Sequence, residues 1–365
     1  MKYYIPVKVF EEEECVRAHA GDLAAFGKKA IIITGKRSSR MNGSLDDVQA
    51  ALQQECISFC IFDKVEENPS VETVMEARDF GLQEGADFVI GVGGGSPLDA
   101  AKAIALMMHH PDQGREFLLT KSEESQTLPL VLIPTTCGTG SEVTQYAILT
   151  YHDRKTKGSI PYEIFADLAL IDGKYLEKAP ISVLCNTAVD ALAHLWESYL
   201  NSRANPYSRM CVDAGLRAWS RIRDVLEGKR QASGEDYACM MRASAFAGMA
   251  IAQTTTTLPH GLSYPLTYDL HMPHGQAVGF YQAGYLAKAM EENRQDVEYV
   301  LHTAGFADIP EWQAFYASVC PVGEVTADEL ERCCQMLYAN PAKLNTACFA
   351  ADLSTLREIV FYGRG

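Results

Sequence analysis

The chain has no uninterrupted apolar run approaching the roughly 18 residues that cross a bilayer, so no membrane-spanning helix is expected. Its opening residues, Met-Lys-Tyr-Tyr-Ile-Pro-Val-Lys, lack the apolar stretch of a secretory signal, and a cytoplasmic location is expected. Positive charge is scarce: 32 Lys and Arg stand against 47 Asp and Glu, for a formal net charge of −15. That excludes a general nucleic-acid surface, which needs a basic footprint, but leaves room for a local pocket that takes one phosphate. The eleven cysteines are odd in number and contain no C-x-x-C pair, so neither a zinc ribbon nor a disulfide framework is indicated. Reduced thiols in a cytosol are the simpler account. Internal repeats, low-complexity tracts and long flexible linkers are also lacking.

What is present is an ordinary globular composition, 47% hydrophobic and 22% charged, in 365 residues, a length that suggests two domains. In the first half, short apolar runs alternate with amphipathic ones. Ala30–Thr34, Ile57–Phe62, Asp87–Val92 and Leu130–Pro134 read as strands, and 45–54 and 71–84 as helices. Continuous apolar strands between helices imply a parallel sheet covered on both faces. After Pro180 the pattern changes, and 183–200, 206–226 and 235–253 carry helical periodicity. The expected fold class is thus an α/β N-terminal domain, residues 1–178, followed by an all-α C-terminal domain, residues 179–365.

The helical half holds four candidate metal ligands. Asp190 and His194 lie four residues apart in an apolar-periodic segment, which puts them one turn apart on one helix face, with Cβ atoms about 5–6 Å from each other. His260 and His274 lie in a second polar cluster. One carboxylate and three imidazoles suit Fe²⁺ or Zn²⁺. Chance alone places a carboxylate four residues before a histidine in a chain this acidic, and a lone histidine on an apolar face is usually a hydrogen-bonded core residue. The pattern gains weight only from the nucleotide half on the same chain.

That half contains Gly93-Gly-Gly-Ser-Pro-Leu-Asp99 directly after a strand. Ser96 is expected as helix N-cap, Pro97 at the first helical position and Asp99 as the acidic partner of a capping box. Free N–H groups at such a helix start receive phosphate. Spacing excludes both the G-x-G-x-x-G fingerprint and the P-loop of ATP hydrolysis. A second loop, Pro134 to Glu142, offers Thr135, Thr136, Thr139 and Ser141 after the next strand. Two polar loops at the C-terminal ends of parallel strands fit the ligand crevice of an open α/β sheet. Cys137 lies within the second loop and reads as a small space-filling residue.

Together these segments resemble the iron-containing, or group III, alcohol dehydrogenases over nearly the whole chain: 93–99, 134–144, the Asp190/His194 helix, His260-Gly and Pro273-His274-Gly275. The resemblance implies a dehydroquinate synthase-like architecture, with a dinucleotide-binding domain, a helical domain and the active site in the cleft between them. It implies metal binding, by Fe²⁺ or Zn²⁺, at Asp190, His194, His260 and His274. It implies cofactor contacts at Gly94, Gly95, Ser96, Thr135, Thr136, Thr139 and Lys157; Asn68 and Asp99 are further candidates. Two departures bear on function. Many members have a histidine where Tyr264 stands, so Tyr264 and His271 become the candidates for proton exchange. Many NAD-dependent members have an Asp directly after the first long strand, where this chain has Gly35-Lys36-Arg37. Removing that carboxylate points to NADP(H), with NAD(H) also possible, and makes Gly35 and Lys36 cofactor candidates. The expected activity is reversible hydride transfer between a small primary alcohol or diol and nicotinamide, in a homo-oligomer that binds neither nucleic acid nor membrane.

Three alternatives share part of this pattern. A sugar-phosphate cyclase of the dehydroquinate synthase type uses NAD and zinc, but it carries a Glu/His/His set and a basic phosphate pocket; basic residues are sparse beside these histidines. A non-haem iron oxygenase uses two histidines and one carboxylate, against three histidines and a dinucleotide half here. A non-catalytic nucleotide-binding module would retain cofactor binding without metal.

Overall fold

The computed structural model describes residues 3–154 and 156–363. Two compact units form: one from Ile5–Thr136 and Gly140–Ala179, the other from Pro180 onward with Cys137–Thr139 and the residues through Tyr4. The first contains β1 (Lys8–Glu11), α1 (Cys15–Ala18), α2 (Ala20–Leu23), β2 (Lys29–Gly35), α3 (Ser38–Met41), α4 (Ser44–Gln54), β3 (Ser58–Val65), α5 (Val71–Glu84), β4 (Phe88–Gly93), α6 (Gly95–His109), β5 (Leu130–Pro134), β6 (Ile148–Tyr151), β7 (Thr156–Ser159) and β8 (Leu168–Ile171). Six strands make one parallel sheet in the order β1-β8-β5-β4-β2-β3, and β6 with β7 makes a separate antiparallel ribbon.

The two faces of the sheet follow from strand periodicity. Ile31 and Ile33 point into a core with α5 and α6, through Val74, Ala77, Ala101 and Ile104. Ala30 and Ile32 point into the opposite core, with Val16, Leu45, Val48 and Leu52 from α1 and α4. The helix after β2 therefore covers one face and the helix after β4 the other. β2 connects outward to β3, and β4 in the other direction to β5, so the strand order reverses between β2 and β4. An open sheet binds its ligand at such a switch point, at the C-terminal strand ends. Those ends here carry Gly35 and the Gly93–Ser96 turn.

The second unit is helical: α7 (Ile181–Tyr199), α8 (Pro206–Ser220), α9 (Arg223–Leu226), α10 (Gly234–Thr254), α11 (Leu258–Asp269), α12 (His274–Thr303), α13 (Ile309–Val319), α14 (Ala327–Tyr338), α15 (Pro341–Leu344) and α16 (Leu353–Val360). Capping boxes start α8, α10 and α14, as Asn205/Ser208, Ser233/Asp236 and Thr326/Glu329. The expected helix 206–226 is interrupted after Ser220, where Ile222 N–H bonds to the carbonyl of Trp219, three residues back, and the chain tightens before α9. Among the described residues no helix is long and apolar enough to cross a membrane. All eleven cysteines are free thiols.

The expected cap of the glycine-rich helix is corrected. The N-cap is Gly94, with no side-chain cap, and Ser96 and Asp99 fall inside α6. The glycines themselves take helical or cap geometry, so the helix begins two residues earlier than a Ser96 cap would allow. Gly93 has φ +150, and a Cβ there would stand 2.7 Å from Pro97 Cγ. Only glycine fits that turn.

Candidate metal centre and nucleotide loops

The apolar spacing of α7 buries one face against its neighbours and carries Asp190 and His194 inward, 3% and 5% exposed. His260 comes from the first turn of α11 and is also buried, while His274 is the first residue of α12 and half-buried. Three imidazole nitrogens surround one oxygen: from Asp190 Oδ1 the Nε2 atoms of His260, His274 and His194 lie 3.5, 3.7 and 3.9 Å away. Ligands about 2.0–2.2 Å from a tetrahedral metal stand roughly 3.3–3.6 Å from one another, so the set is close to metal-holding spacing. Asp190 Oδ1 and His260 Nε2 are buried with no hydrogen-bond partner among the described residues. Leaving such atoms unmade is costly, and an ion between them satisfies both. Asp190, His260 and His274, whose ligand atoms all lie within 4.8 Å of one another, thus fit a divalent metal, and His194 Nε2 stands 3.9 Å from the same Asp190 oxygen as a candidate fourth ligand.

Electrostatics agree. Burial would push the Asp190 carboxyl up, but His194, His274 and His260 around it hold it well below the usual carboxylate range. Burial pushes His194 down to about 4, which leaves it neutral, the form that ligates. Burial would also lower His260, but the carboxylates of Glu197 and Asp190 raise it to about 9. The centre therefore favours a positive charge, held as a proton or as a metal.

Two features outside the predicted set shape it. A Cβ on Gly275 would stand 1.8 Å from the carbonyl oxygen of Asn186 and 3.1 Å from Asp190 Cβ. Glycine therefore lets the start of α12 approach α7 closely enough for His274 to face Asp190. Glu197, which sequence reasoning missed, accepts a 2.7 Å hydrogen bond from His260 Nδ1–H, so Nε2 is the nitrogen turned toward Asp190. His194 Nδ1–H similarly donates to the Gly138 carbonyl at 3.2 Å. The available signal for Glu197 was its place three residues after His194, on the face of α7 that carries both ligands.

Of the two proton-exchange candidates, Tyr264 is on α11, four residues after His260, and 36% exposed. The protein packed around it and the carboxylates of Glu197 and Asp190 push its phenol up to about 12. His271 is exposed, has φ 52, and lies in the connection between α11 and α12. It makes no hydrogen bond among the described residues.

In the α/β unit several candidates converge. Asn68 takes left-handed backbone, φ 58, and its N–H donates to Ser96 Oγ at 3.0 Å. Lys157 Nζ donates to Asn68 Oδ1 at 2.7 Å, and Thr150 Oγ1 donates to the Asn68 carbonyl at 2.8 Å. Burial lowers the Lys157 ammonium to about 8. Thr135 N–H donates to the Gly93 carbonyl at 2.8 Å, which docks the second loop on the first, and Thr136 lies against Gly94. Asp99 fastens the second loop: its oxygens accept from Ser141 Oγ at 2.6 Å and Ile148 N–H at 2.9 Å. Lys102, fully buried, donates to Ser141 Oγ, Thr144 Oγ1 and the Tyr146 carbonyl on the same loop. Gly94 and Gly95 open α6 without a side-chain cap, as a phosphate-binding helix start requires. Gly35 ends β2, Lys36 is exposed beside it, and Arg40 is paired with Asp63 at 3.0 Å. Thr139 belongs to the helical unit. Cys137 there is buried, its Sγ 3.2 Å from Thr187 Oγ1, and burial pushes its thiol up to about 11, in keeping with a filling role.

A parallel sheet with a glycine-rich helix start at its switch point, and a helical unit with a carboxylate facing three imidazoles, define a metal-dependent, nucleotide-linked class of enzyme. The chain belongs to the iron-containing alcohol dehydrogenase family: residues 6–173 match "Iron-containing alcohol dehydrogenase" and 184–347 "Fe-containing alcohol dehydrogenase family, C-terminal". It is 32% identical over 284 residues to long-chain-alcohol dehydrogenase 1 of Geobacillus thermodenitrificans, covering 76% of this chain and 71% of that one. It is 31% identical over 261 residues to an NADPH-dependent butanol dehydrogenase of Clostridium saccharobutylicum, 70% of this chain and 66% of that one. The crystal structure of an iron-containing alcohol dehydrogenase from Thermotoga maritima superposes with a TM-score of 0.89 at 35% identity, over 99% of this chain and 98% of that one. The matching families are those of dehydrogenases, and the cyclase alternative is not favoured.

Proposed function

We propose that this protein is a metal-dependent alcohol dehydrogenase and aldehyde reductase that transfers hydride reversibly between a small primary alcohol or diol and nicotinamide, with NADP(H) preferred over NAD(H). The observation that carries this is the buried Asp190 oxygen facing three Nε2 atoms at 3.5–3.9 Å with no hydrogen-bond partner among the described residues. When bound, Fe²⁺ or Zn²⁺ supplies Lewis acidity to an alcohol or carbonyl oxygen, and the nicotinamide supplies the hydride acceptor or donor. The chain's own contribution is to hold and orient. Asp190 brings negative charge, His194, His260 and His274 bring Nε2 lone pairs, and the α6 start with Asn68, Ser96 and Lys157 receives the dinucleotide. A cytoplasmic homo-oligomer with reduced thiols completes the reading. Anaerobic reconstitution with Fe²⁺ or Zn²⁺, followed by NADPH and NADH oxidation against an aldehyde panel, tests it; metal-loaded protein that reduces no aldehyde with either cofactor refutes it.

Tyr264 is proposed to hand the proton between substrate oxygen and solvent. Its hydroxyl stays protonated at neutral pH and the residue is partly exposed, so it can pass one proton inward as it takes another. Tyr264→Phe is expected to keep its metal and lower kcat on the order of 10-fold, less than full general-acid catalysis provides because water can substitute in part. The pH–rate profile should change with it. An unaltered profile across several aldehydes, under conditions where proton transfer limits the rate, would leave Tyr264 as pocket lining only.

A further inference from the structure

We propose that Glu197 is a positioning residue of the metal centre, which through His260 sets the affinity and geometry with which metal is held. This rests on the metal reading above. Glu197 is fully buried, and its two oxygens receive four donors. Oε1 accepts from His260 Nδ1–H at 2.7 Å and from Gln282 Nε2–H at 2.8 Å. Oε2 accepts from Thr257 N–H at 2.6 Å and Thr257 Oγ1–H at 3.1 Å. A group that meets only donors must be an ionised carboxylate, since a protonated acid or an amide would bring a donor of its own.

The origin of those donors matters. Glu197 is on α7 with Asp190 and His194, His260 is on α11 with Thr257 as its N-cap, and Gln282 is on α12 with His274. One carboxylate thus ties together the three helices that supply all four ligands. A buried charge is costly unless paired. Lys343, on α15, donates to the carbonyl and hydroxyl of Thr256, beside Thr257, and its ammonium stabilises the Glu197 carboxylate. His194, by contrast, leans on a neutral backbone carbonyl. His260 is therefore a ligand whose tautomer and orientation are set by a full negative charge, and carboxylate backing of this kind governs how tightly a histidine holds metal.

The test is metal affinity, not turnover. Zn²⁺ dissociation constants are measured by chelator competition, and Co²⁺ spectra are recorded, for wild type, His260→Ala, Glu197→Gln and Thr257→Val. Glu197→Gln puts an amide N–H against at least one donor and is expected to weaken Zn²⁺ binding roughly 10–100-fold and to alter the visible Co²⁺ spectrum. Thr257→Val removes one donor from the far oxygen, keeps the His260 bond, and should lose far less. A folded Glu197→Gln protein with wild-type Zn²⁺ affinity and Co²⁺ spectrum overturns the proposal. If that variant does not fold, Glu197→Asp, which keeps the charge but is one methylene short of His260, must show weakened affinity; unchanged affinity overturns it equally. Wild-type protein that binds neither Zn²⁺ nor Co²⁺ would sink the metal reading itself, whereas wild-type binding lost in His260→Ala and kept in Glu197→Gln sinks only the role of Glu197.

Discussion

His194→Ala is expected to purify without stoichiometric metal and to lose alcohol-oxidising turnover by on the order of 10³-fold or more, the scale of several kcal/mol of lost charge stabilisation. His194 is 5% exposed and its Nε2 is 3.9 Å from Asp190 Oδ1, so the substitution removes a buried candidate ligand from a place that bulk solvent does not reach directly. His274→Ala should also lose turnover but keep more metal. Its side chain is 36% exposed and begins a helix, so solvent can occupy the vacated position while Asp190, His194 and His260 remain. Cofactor binding should survive both changes, because Gly94, Gly95, Ser96 and Asn68 belong to the other compact unit. Thr139 is the candidate to watch in His194→Ala, since His194 bonds to the carbonyl of Gly138 directly before it. Metal analysis with cofactor titration measures both halves. Full aldehyde-reductase activity in metal-free His194→Ala would remove the mechanism.

How much of this was legible in the sequence depends on whether the signal was local. The sheet strands with continuous apolar runs, such as Leu130–Pro134, and amphipathic α5, Val71–Glu84, were readable because burial on two faces or one leaves a periodic trace. β1, with the pattern Lys-Val-Phe-Glu, is a half-exposed edge strand of four residues, and β8 is four residues long; neither exceeds the noise of apolar runs in loops. The helix start at Gly94 was misplaced because Ser96 and Asp99 have ideal capping chemistry, yet tertiary contacts claim both: Ser96 for Asn68 and Asp99 for the second loop. Asp190 and His194 could be paired from spacing on one helix. That His274 faces the same oxygen as His260 depends on close approach of α12 to α7, where Gly275 meets Asp190 across 85 residues of sequence, a contact that periodicity does not encode. Glu197 went unseen because a carboxylate at the end of an apolar helix usually faces solvent.

With NADP(H) preferred as proposed, Gly35→Asp is expected to shift the preference towards NAD(H), mostly by weakening NADP(H). Gly35 ends β2 beside the point where the sheet order reverses, the position from which a side chain faces an adenosine ribose in such folds. A carboxylate there accepts from a ribose hydroxyl but repels a 2′-phosphate. Two unit charges at 4 Å cost about 4 kcal/mol at an effective dielectric near 20, an upper guide for a partly exposed pair. Solvent screening reduces this, and a loss on the order of 100-fold in kcat/KM for NADP(H) is the expected result. The substitution is sterically open: a Cβ at Gly35 meets Val65 O at 3.5 Å and Pro97 Cγ at 4.0 Å, ordinary contacts, so a fold defect should not confuse the outcome. On the attractive side, Arg40 is already paired with Asp63, whereas exposed Lys36 and Arg37 make no ion pair among the described residues. On the proposed NADP(H) reading those two are the candidate cations for a 2′-phosphate, and Lys36→Ala with Arg37→Ala should weaken NADP(H) while sparing NAD(H). Steady-state kcat/KM for both cofactors, in wild type and Gly35→Asp, decides the matter. A wild-type enzyme that favours NADH by about tenfold, a difference near 1.4 kcal/mol, would show that the missing carboxylate does not select the phosphate and that Lys36 and Arg37 are solvated loop charges.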